Sequence, residues 1–478
     1  MAKQLRERVA RGVAWSLGEK ILSLLLQAGV GILVARLLSP EDYGVMAILT
    51  VFVTLSLVVV DSGFSQTLIR AENPSDGEFR AVFGFNLLTS LLLYGGVLLA
   101  APWLADFYQL PILKQLTPIL FLLLPINALC VIQQTMLTRR FRFDRLSRIY
   151  FLSNLFGGLL AVGMALGGWG VWSLVGQRLG AMASKAVMLW GVNPWRPSPV
   201  RERGALRRMA PYSLRLLLTD LITTLYNNIS QLFVGKIYSA QTLGYYNQGQ
   251  KLKEMPSTAL LQSIQQVTFP ALAKIQGDRE KFRESYRQLL TVVAFGVFPV
   301  MVGLIAIAPD LFALLLGEKW MPTVPYFEIL SLAGLFAPLA AVAYNVLKVQ
   351  SDGRVIVRLE VIKRVVMTLI LVLTFPRGVV AIAWGVVAMA AVEWGINSWA
   401  AARYASLSWG AWLRTLLPAT LLSGGMYGAV KGFAGAFDLP LWVDLGGQIL
   451  LGALLYGGLA WLLRLEAVQI ARAIWRNR

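Results

Sequence analysis

Polar side chains recur at helical spacing in one otherwise apolar part of this chain. Asn247, Lys251, Glu254, Thr258, Gln262 and Gln265 are separated by 4, 3, 4, 4 and 3 residues. That mean of 3.6 places them on one face of a helix. The same stretch, Tyr245–Pro270, also holds Lys253 and five glutamines in all. Such a face cannot be left in hydrocarbon and must border water or partner helices. The alternative is an outer-interface segment whose crossing starts near Thr258. A second stripe lies upstream: Arg215, Thr219, Thr223, Asn227 and Ser230, with Asp220 and Asn228 beside it. Asp220 falls about ten residues into its segment, or ~15 Å along the axis, near the middle of a span. Arg178 sits deep in another segment between apolar neighbours. Lys20, next to Glu19, is close enough to a helix end to snorkel. Cations offer charge-assisted bonds to phosphate, and amides hydrogen-bond sugar hydroxyls in both directions. Lys20, Arg178, Arg215, Asn227, Asn228, Lys251, Lys253 and Gln262 would together suit an anionic, hydroxyl-rich substrate. Asp220, Glu254 and Glu393 are the candidates for an ion-coupling role.

What is missing narrows the chemistry further. The chain has no histidine and a single cysteine, Cys130. Zero histidine removes the commonest general base and the commonest metal ligand. A lone cysteine in an apolar segment reads as a packed core residue. There is no G-x-x-x-x-G-K-[ST] phosphate loop. No metal site, no cofactor and no enzymatic activity are expected.

The elements that must position these residues are membrane helices. Of 478 residues only 14% are charged, against about 25% in a soluble protein, and mean hydropathy is +0.63. Apolar stretches of roughly 20 residues recur from end to end, each long enough for a ~30 Å hydrocarbon core. Fourteen segments are predicted, the first near 13–35 and the last near 446–463. The N-terminal "MAKQLRERVARG" is basic, but a full-length apolar segment follows it, so no cleaved signal peptide is expected. With the N-terminus in the cytoplasm, 32 of the 44 lysines and arginines fall in cytoplasmic loops and termini. Eight fall outside or near the outer ends of segments, and four (Lys20, Arg178, Lys185 and Arg215) lie within segments. This asymmetry follows the positive-inside rule and predicts that both termini are cytoplasmic. The stretch "LTRRFRFDRLSR" (Leu137–Arg148), with five arginines in twelve residues, is then a cytoplasmic loop and not a nucleic-acid patch. Asp61 reads as a helix-end cap, and Lys348 and Lys363 as positive-inside residues near the cytoplasmic interface.

The chain also repeats itself. "LVARLLSPEDYG" (Leu33–Gly44) matches "FVGKIYSAQTLG" (Phe233–Gly244), pairing Val34 with Val234, Arg36 with Lys236, Ser39 with Ser239 and Gly44 with Gly244. The repeat predicts two parallel six-helix lobes, 1–200 and 201–405, around a central cavity. Two extra helices and a cytoplasmic tail follow in 406–478. Parallel repeats about an axis along the membrane normal are a transporter architecture with the substrate site between the halves.

The motifs "LVARLLSPEDYG", "VDSGFSQTLI", "LYNNI", "LGYYNQGQKLKEMPS", "VTFPALAKIQGD", "EKWMPTVPYFEILSLAG" and "RLEVIKR" give the chain a family resemblance. It resembles the Wzx/TuaB-like polysaccharide-transport branch of the multidrug/oligosaccharidyl-lipid/polysaccharide (MOP) exporter superfamily, from the first helix to about residue 400. One departure is "KVQSDGRV" (Lys348–Val355), where a Gly-Arg-Ser-Asp order is expected. The resemblance implies fourteen helices in two lobes and a V-shaped cavity. It also implies flipping of undecaprenyl-diphosphate-linked oligosaccharides across the bacterial cytoplasmic membrane. Membrane lipids are expected partners, and a polysaccharide polymerase and a chain-length regulator are candidate ones. Two rival readings differ in the residues they require. A membrane glycosyltransferase or polymerase would want an Asp-x-Asp site or a large outer loop, and the chain has neither. A cation-coupled multidrug exporter of the same superfamily would favour acidic or aromatic cavity residues.

Overall fold

Inside a bilayer the backbone finds no water, so a spanning segment must satisfy its own N–H and C=O groups. The computed structural model describes residues 22–197, 202, 204–351, 353–434, 436 and 439–476, and all regular structure among them is helical. In chain order the helices are α1 (Leu22–Leu37), α2 (Pro40–Asp61), α3 (Phe64–Arg70), α4 (Asp76–Tyr108), α5 (Leu113–Leu120), α6 (Leu123–Arg139), α7 (Phe143–Leu166), α8 (Trp172–Val192) and α9 (Ala205–Ile237). Then come α10 (Ala240–Lys274), α11 (Arg279–Ala306), α12 (Ala308–Leu315), α13 (Val324–Gln350), α14 (Gly353–Thr374), α15 (Val379–Ala405), α16 (Trp409–Phe433), α17 (Leu441–Leu462) and α18 (Glu466–Arg476).

Eight spans built from these helices are long and apolar enough to cross a membrane, which makes this a multi-pass membrane protein. Helices α1, α8, α9, α10, α14 and α16 fall outside that set of eight, and the candidate site residues Arg178, Arg215 and Lys251 lie on three of them. Each of the fourteen sequence-predicted segments overlaps a described helix. The chain divides into two compact units, Met1–Gly244 and Tyr245–Arg478.

In the first unit, short polar residues start the helices. Ser39 and Asp42 form a reciprocal capping box at α2, as do Ser75 and Glu78 at α4. The two repeat copies fold alike: Ser239 Oγ accepts from the Thr242 N–H at 3.1 Å, as Ser39 Oγ does from Asp42 N–H at 3.2 Å. The starts of α2 and α10 then meet backbone to backbone. A Cβ on Gly44 would lie 1.6 Å from the Ala240 carbonyl oxygen, and one on Gly244 would lie 1.8 Å from that of Pro40. Only glycine permits this reciprocal approach. Helix α9 packs on α2, α3 and α4, burying Met209, Ser213, Ser230 and Val234.

The arginine-rich stretch Leu137–Arg148 satisfies its own fold. Arg139 Nη1 donates to the carbonyls of Leu68 (2.6 Å) and Ala71 (2.6 Å), and Nη2 to that of Glu72 (3.0 Å). One guanidinium therefore closes the C-terminal end of α3. Arg142 pairs with Asp144 at 3.1 Å, and Arg145 donates to the Val192 carbonyl at 3.3 Å.

The second unit is built on α13 against α15 and α11 against α16. Its core includes Tyr286, Met301, Leu339, Val346 and Trp412. The Trp394 and Trp412 rings lie 4.6 Å apart between α15 and α16.

Candidate functional site

Small residues bring α7 and α8 together. A Cβ on Gly157 would lie 2.5 Å from the Gln177 carbonyl, so the helices approach to backbone contact. The close approach sets Arg178, the next residue, beside the polar face of α7. Arg178 and Lys185 are seven residues apart on α8, two turns or ~10 Å along one face. With Tyr150, Ser153 and Asn154 of α7 and Thr54 of α2 they line a cavity of about 340 Å³. Leu57, Leu123 and Met182 make the apolar part of its wall. Among the described residues neither cation makes an ion pair or a hydrogen bond. A cation within a membrane segment is costly unless it is paired or faces water or a ligand. These two face a cavity of the size that takes a small-molecule group.

Lys185, Tyr150, Ser153, Asn154 and Thr54 were not among the sequence-predicted site residues. The available signal was the seven-residue spacing between Arg178 and Lys185, which puts both cations on one helix face.

On α9 the predicted stripe is open: Arg215, Thr219, Thr223 and Asn227 are all exposed, whereas Ser230 is buried. Asp220 is half-buried, and Asn228 Nδ2 donates to the Thr224 carbonyl at 2.7 Å. On α10, Lys251, Glu254, Thr258 and Gln265 are exposed and Lys253 is half-buried. Glu254 accepts from Gln250 Nε2 at 2.9 Å. Lys20 and the side chain of Gln262 lie outside the described residues.

Glu393 belongs to a different kind of cluster. On α14, Lys363 is 2% exposed, buried within the protein. Its ammonium pairs with Glu360 and lies 3.6 Å from Glu393 on α15 and 5.4 Å from the Tyr344 ring centre. Asp61 accepts from Ser65 Oγ at 2.7 Å in the first turn of α3, in keeping with a helix-end role. Cys130 is fully buried, packed as expected. No group of three metal-ligating side chains occurs among the described residues.

A sequence profile of polysaccharide biosynthesis proteins matches residues 33–325, well over half of the chain. The chain belongs to that family. This bears out the polysaccharide-transport resemblance carried by the motifs. Relatives include the teichuronic acid biosynthesis protein TuaB of Bacillus subtilis, 26% identical over 59% of this chain and 59% of that protein. The match therefore spans less than two thirds of TuaB. The lipopolysaccharide biosynthesis protein WzxC of Escherichia coli is 25% identical over 69% of this chain and 68% of its own length. In fold, the chain is similar to the lipid II flippase MurJ in an inward closed conformation, with TM-score 0.71 at 15% identity, covering 93% of this chain and 97% of that one. It is also similar to an inward-facing multidrug resistance MATE family transporter of the MOP superfamily, with TM-score 0.60 at 15% identity, covering 80% and 94%. The proteins so named are biosynthesis proteins, flippases and transporters, not enzymes.

Proposed function

We propose that this family member flips undecaprenyl-diphosphate-linked oligosaccharide repeat units from the cytoplasmic to the outer leaflet of the bacterial cytoplasmic membrane by alternating access. The product would feed O-antigen, capsule or exopolysaccharide assembly, with a polymerase and a chain-length regulator as downstream partners. The observation that carries the reading is the pair of uncompensated cations, Arg178 and Lys185, in a cavity with Tyr150, Ser153, Asn154 and Thr54. The cations suit a diphosphate, and the amide and hydroxyls suit sugar. Arg215, Asn227, Asn228, Lys251, Lys253, Lys20 and Gln262 would extend the polar path, and Asp220, Glu254 and Glu393 would serve ion coupling. In this reading α1, α8, α9, α10, α14 and α16 also span, giving fourteen crossings in two six-helix lobes, 1–200 and 201–405, and two extra helices in 406–478. A multidrug exporter of cationic compounds is the second reading, supported by the MATE likeness in fold; the cationic cavity favours the first.

Deleting the gene and analysing lipid-linked intermediates tests the function: accumulation of diphosphate-linked repeat units on the cytoplasmic side is expected, and unchanged pools would refute it. Orientation is tested by labelling from outside the cell. Gln109 and Arg140 are both exposed, so a cysteine replacing either is reachable, while the native Cys130 is buried. Gln109→Cys should label and Arg140→Cys should not; the reverse result would invert the topology.

A further inference from the structure

A second charged cavity lies in the second unit, far in sequence from Arg178 and unused by the transport reading. It encloses about 250 Å³ and is lined by Arg287 and Phe295 of α11, Arg414, Thr415 and Pro418 of α16, and the start of α18 at Glu466. That is below the ~300–1,000 Å³ of pockets that enclose a drug-sized ligand, so it suits a head group and not an oligosaccharide.

Its two arginines are differently employed. Arg287 is saturated: Nη1 donates to Glu466 at 2.6 Å, and Nη2 and Nε donate to Glu284 at 2.7 and 3.0 Å. This fork pins the start of α18 to α11. Arg414 is exposed and has no ion pair or hydrogen bond among the described residues. The residues flanking it on α16, Leu413 and Leu417, are 61% and 53% exposed, an open apolar edge of the kind lipid covers. Helix α18 is strongly amphipathic, with Ala467 buried and Gln469 and Arg472 exposed, and the Arg472 guanidinium sits 5.8 Å from the Trp461 ring centre. An amphipathic helix with arginine on its polar side has the form of helices that bind in the plane of the bilayer interface. The cavity thus combines an unsatisfied guanidinium with apolar Phe295 and Pro418 beside an amphipathic helix and exposed leucines, the chemistry of a lipid head group and its glycerol end.

We propose that this cavity binds the phosphodiester of an anionic phospholipid, with Arg414 as the phosphate ligand and α18 as the clamp over it. Arg287 is neutralised by Glu284 and Glu466, which leaves Arg414 as the cation free to take a phosphate, and no lining carboxylate is left over to attract the ammonium of a zwitterionic head group. The open apolar edge beside it makes the membrane, not free solute, the source.

The test uses the full-length protein in detergent, with binding of phosphatidylglycerol and phosphatidylcholine measured by native mass spectrometry and inorganic phosphate as competitor. Wild-type protein should prefer phosphatidylglycerol, and Arg414→Gln should weaken that binding about tenfold, the loss of one charge-assisted contact. Arg414→Lys, which keeps the charge, should lose only a few-fold. Should Arg414→Gln not fold, Ala411→Trp, which fills the cavity, carries the same expectation. Equal binding of the two lipids by wild type, or undiminished phosphatidylglycerol binding by the variant, would overturn the site. Displacement by inorganic phosphate at equal concentration would overturn the lipid as its source.

Discussion

Arg178 and Lys185 on α8 in the first unit and Lys363 on α14 in the second are cations on the helices of an apolar chain, yet they live in opposite surroundings. Lys363 is buried between Glu360, Glu393 and Tyr344, its charge answered within the protein. Arg178 and Lys185 line an open cavity with hydroxyls and an amide but no carboxylate. Desolvating a charge is expensive, so a sequence that keeps one in a membrane must compensate it or leave it facing water or a ligand. The first solution ties helices together; the second leaves a place for an anion. Both sites are built around helical cations, so the cation alone does not separate structure from function. The partner does.

The contrast is breakable. Lys363→Met leaves two carboxylates facing each other and should cost about 2–4 kcal/mol of stability, less than a fully buried broken pair because both glutamates are partly exposed. Thermal unfolding in detergent measures it, and adding Glu360→Gln should restore part of the loss. An unchanged melting temperature would mean that Lys363 is not a structural tie. Arg178→Gln and Lys185→Gln should behave in the opposite way, with polysaccharide export reduced at least tenfold while membrane protein levels and melting temperature hold. Loss of the protein itself would mark these cations as structural after all. A sharper version supplies the missing acid. Asn154→Asp places a carboxylate in the same cavity and should raise the melting temperature slightly while lowering export several-fold, because the engineered acid competes with the substrate for the cations. A rise in export would contradict the anion-binding reading.

The smallest effect is expected outside the membrane. The Glu202 carboxyl is held below its ordinary value of 4.5 first by the Ser75 hydroxyl and then by the Arg208 guanidinium, which also reaches Glu78 at 3.2 Å. A depressed carboxyl stabilises the fold above its ordinary range and loses that contribution as pH falls through its lowered folded-state value. Glu202 is solvated, so Glu202→Gln should barely move the melting temperature at neutral pH. A drop like that of Lys363→Met would show that this loop latch matters more than its exposure suggests.

The helices were legible because hydrocarbon imposes a length and a composition. Each apolar segment met a helix, and the Leu33–Gly44 repeat folded into the same serine-capped turn as Phe233–Gly244. The exposed stripes on α9 and α10 were legible for the same reason, as helical period alone puts Arg215, Thr219 and Thr223 on one face. The cavity around Arg178 was only half legible. Its second cation was in view, but Tyr150 and Asn154 reach it through the contact of Gly157 with the backbone of Gln177, and glycine contacts leave no signature in hydropathy. The ion cluster of Lys363 was not legible for a related reason: Glu360 is near in sequence, but the neighbouring α15 supplies Glu393. Pairings between helices are decided by packing, which one sequence does not spell out.

If the uncompensated cationic cavity serves the passage of a diphosphate-linked sugar, its two cations must control the rate of transfer. The most direct measurement is flipping of a fluorescently labelled undecaprenyl-diphosphate oligosaccharide in vesicles reconstituted with purified protein, wild type beside the Arg178→Gln/Lys185→Gln double variant. Wild type should flip the lipid in a protein-dependent way, and the double variant should fall to the protein-free background, at equal reconstitution and equal melting temperature. Wild-type flipping by the double variant, or no flipping by wild type, would contradict it.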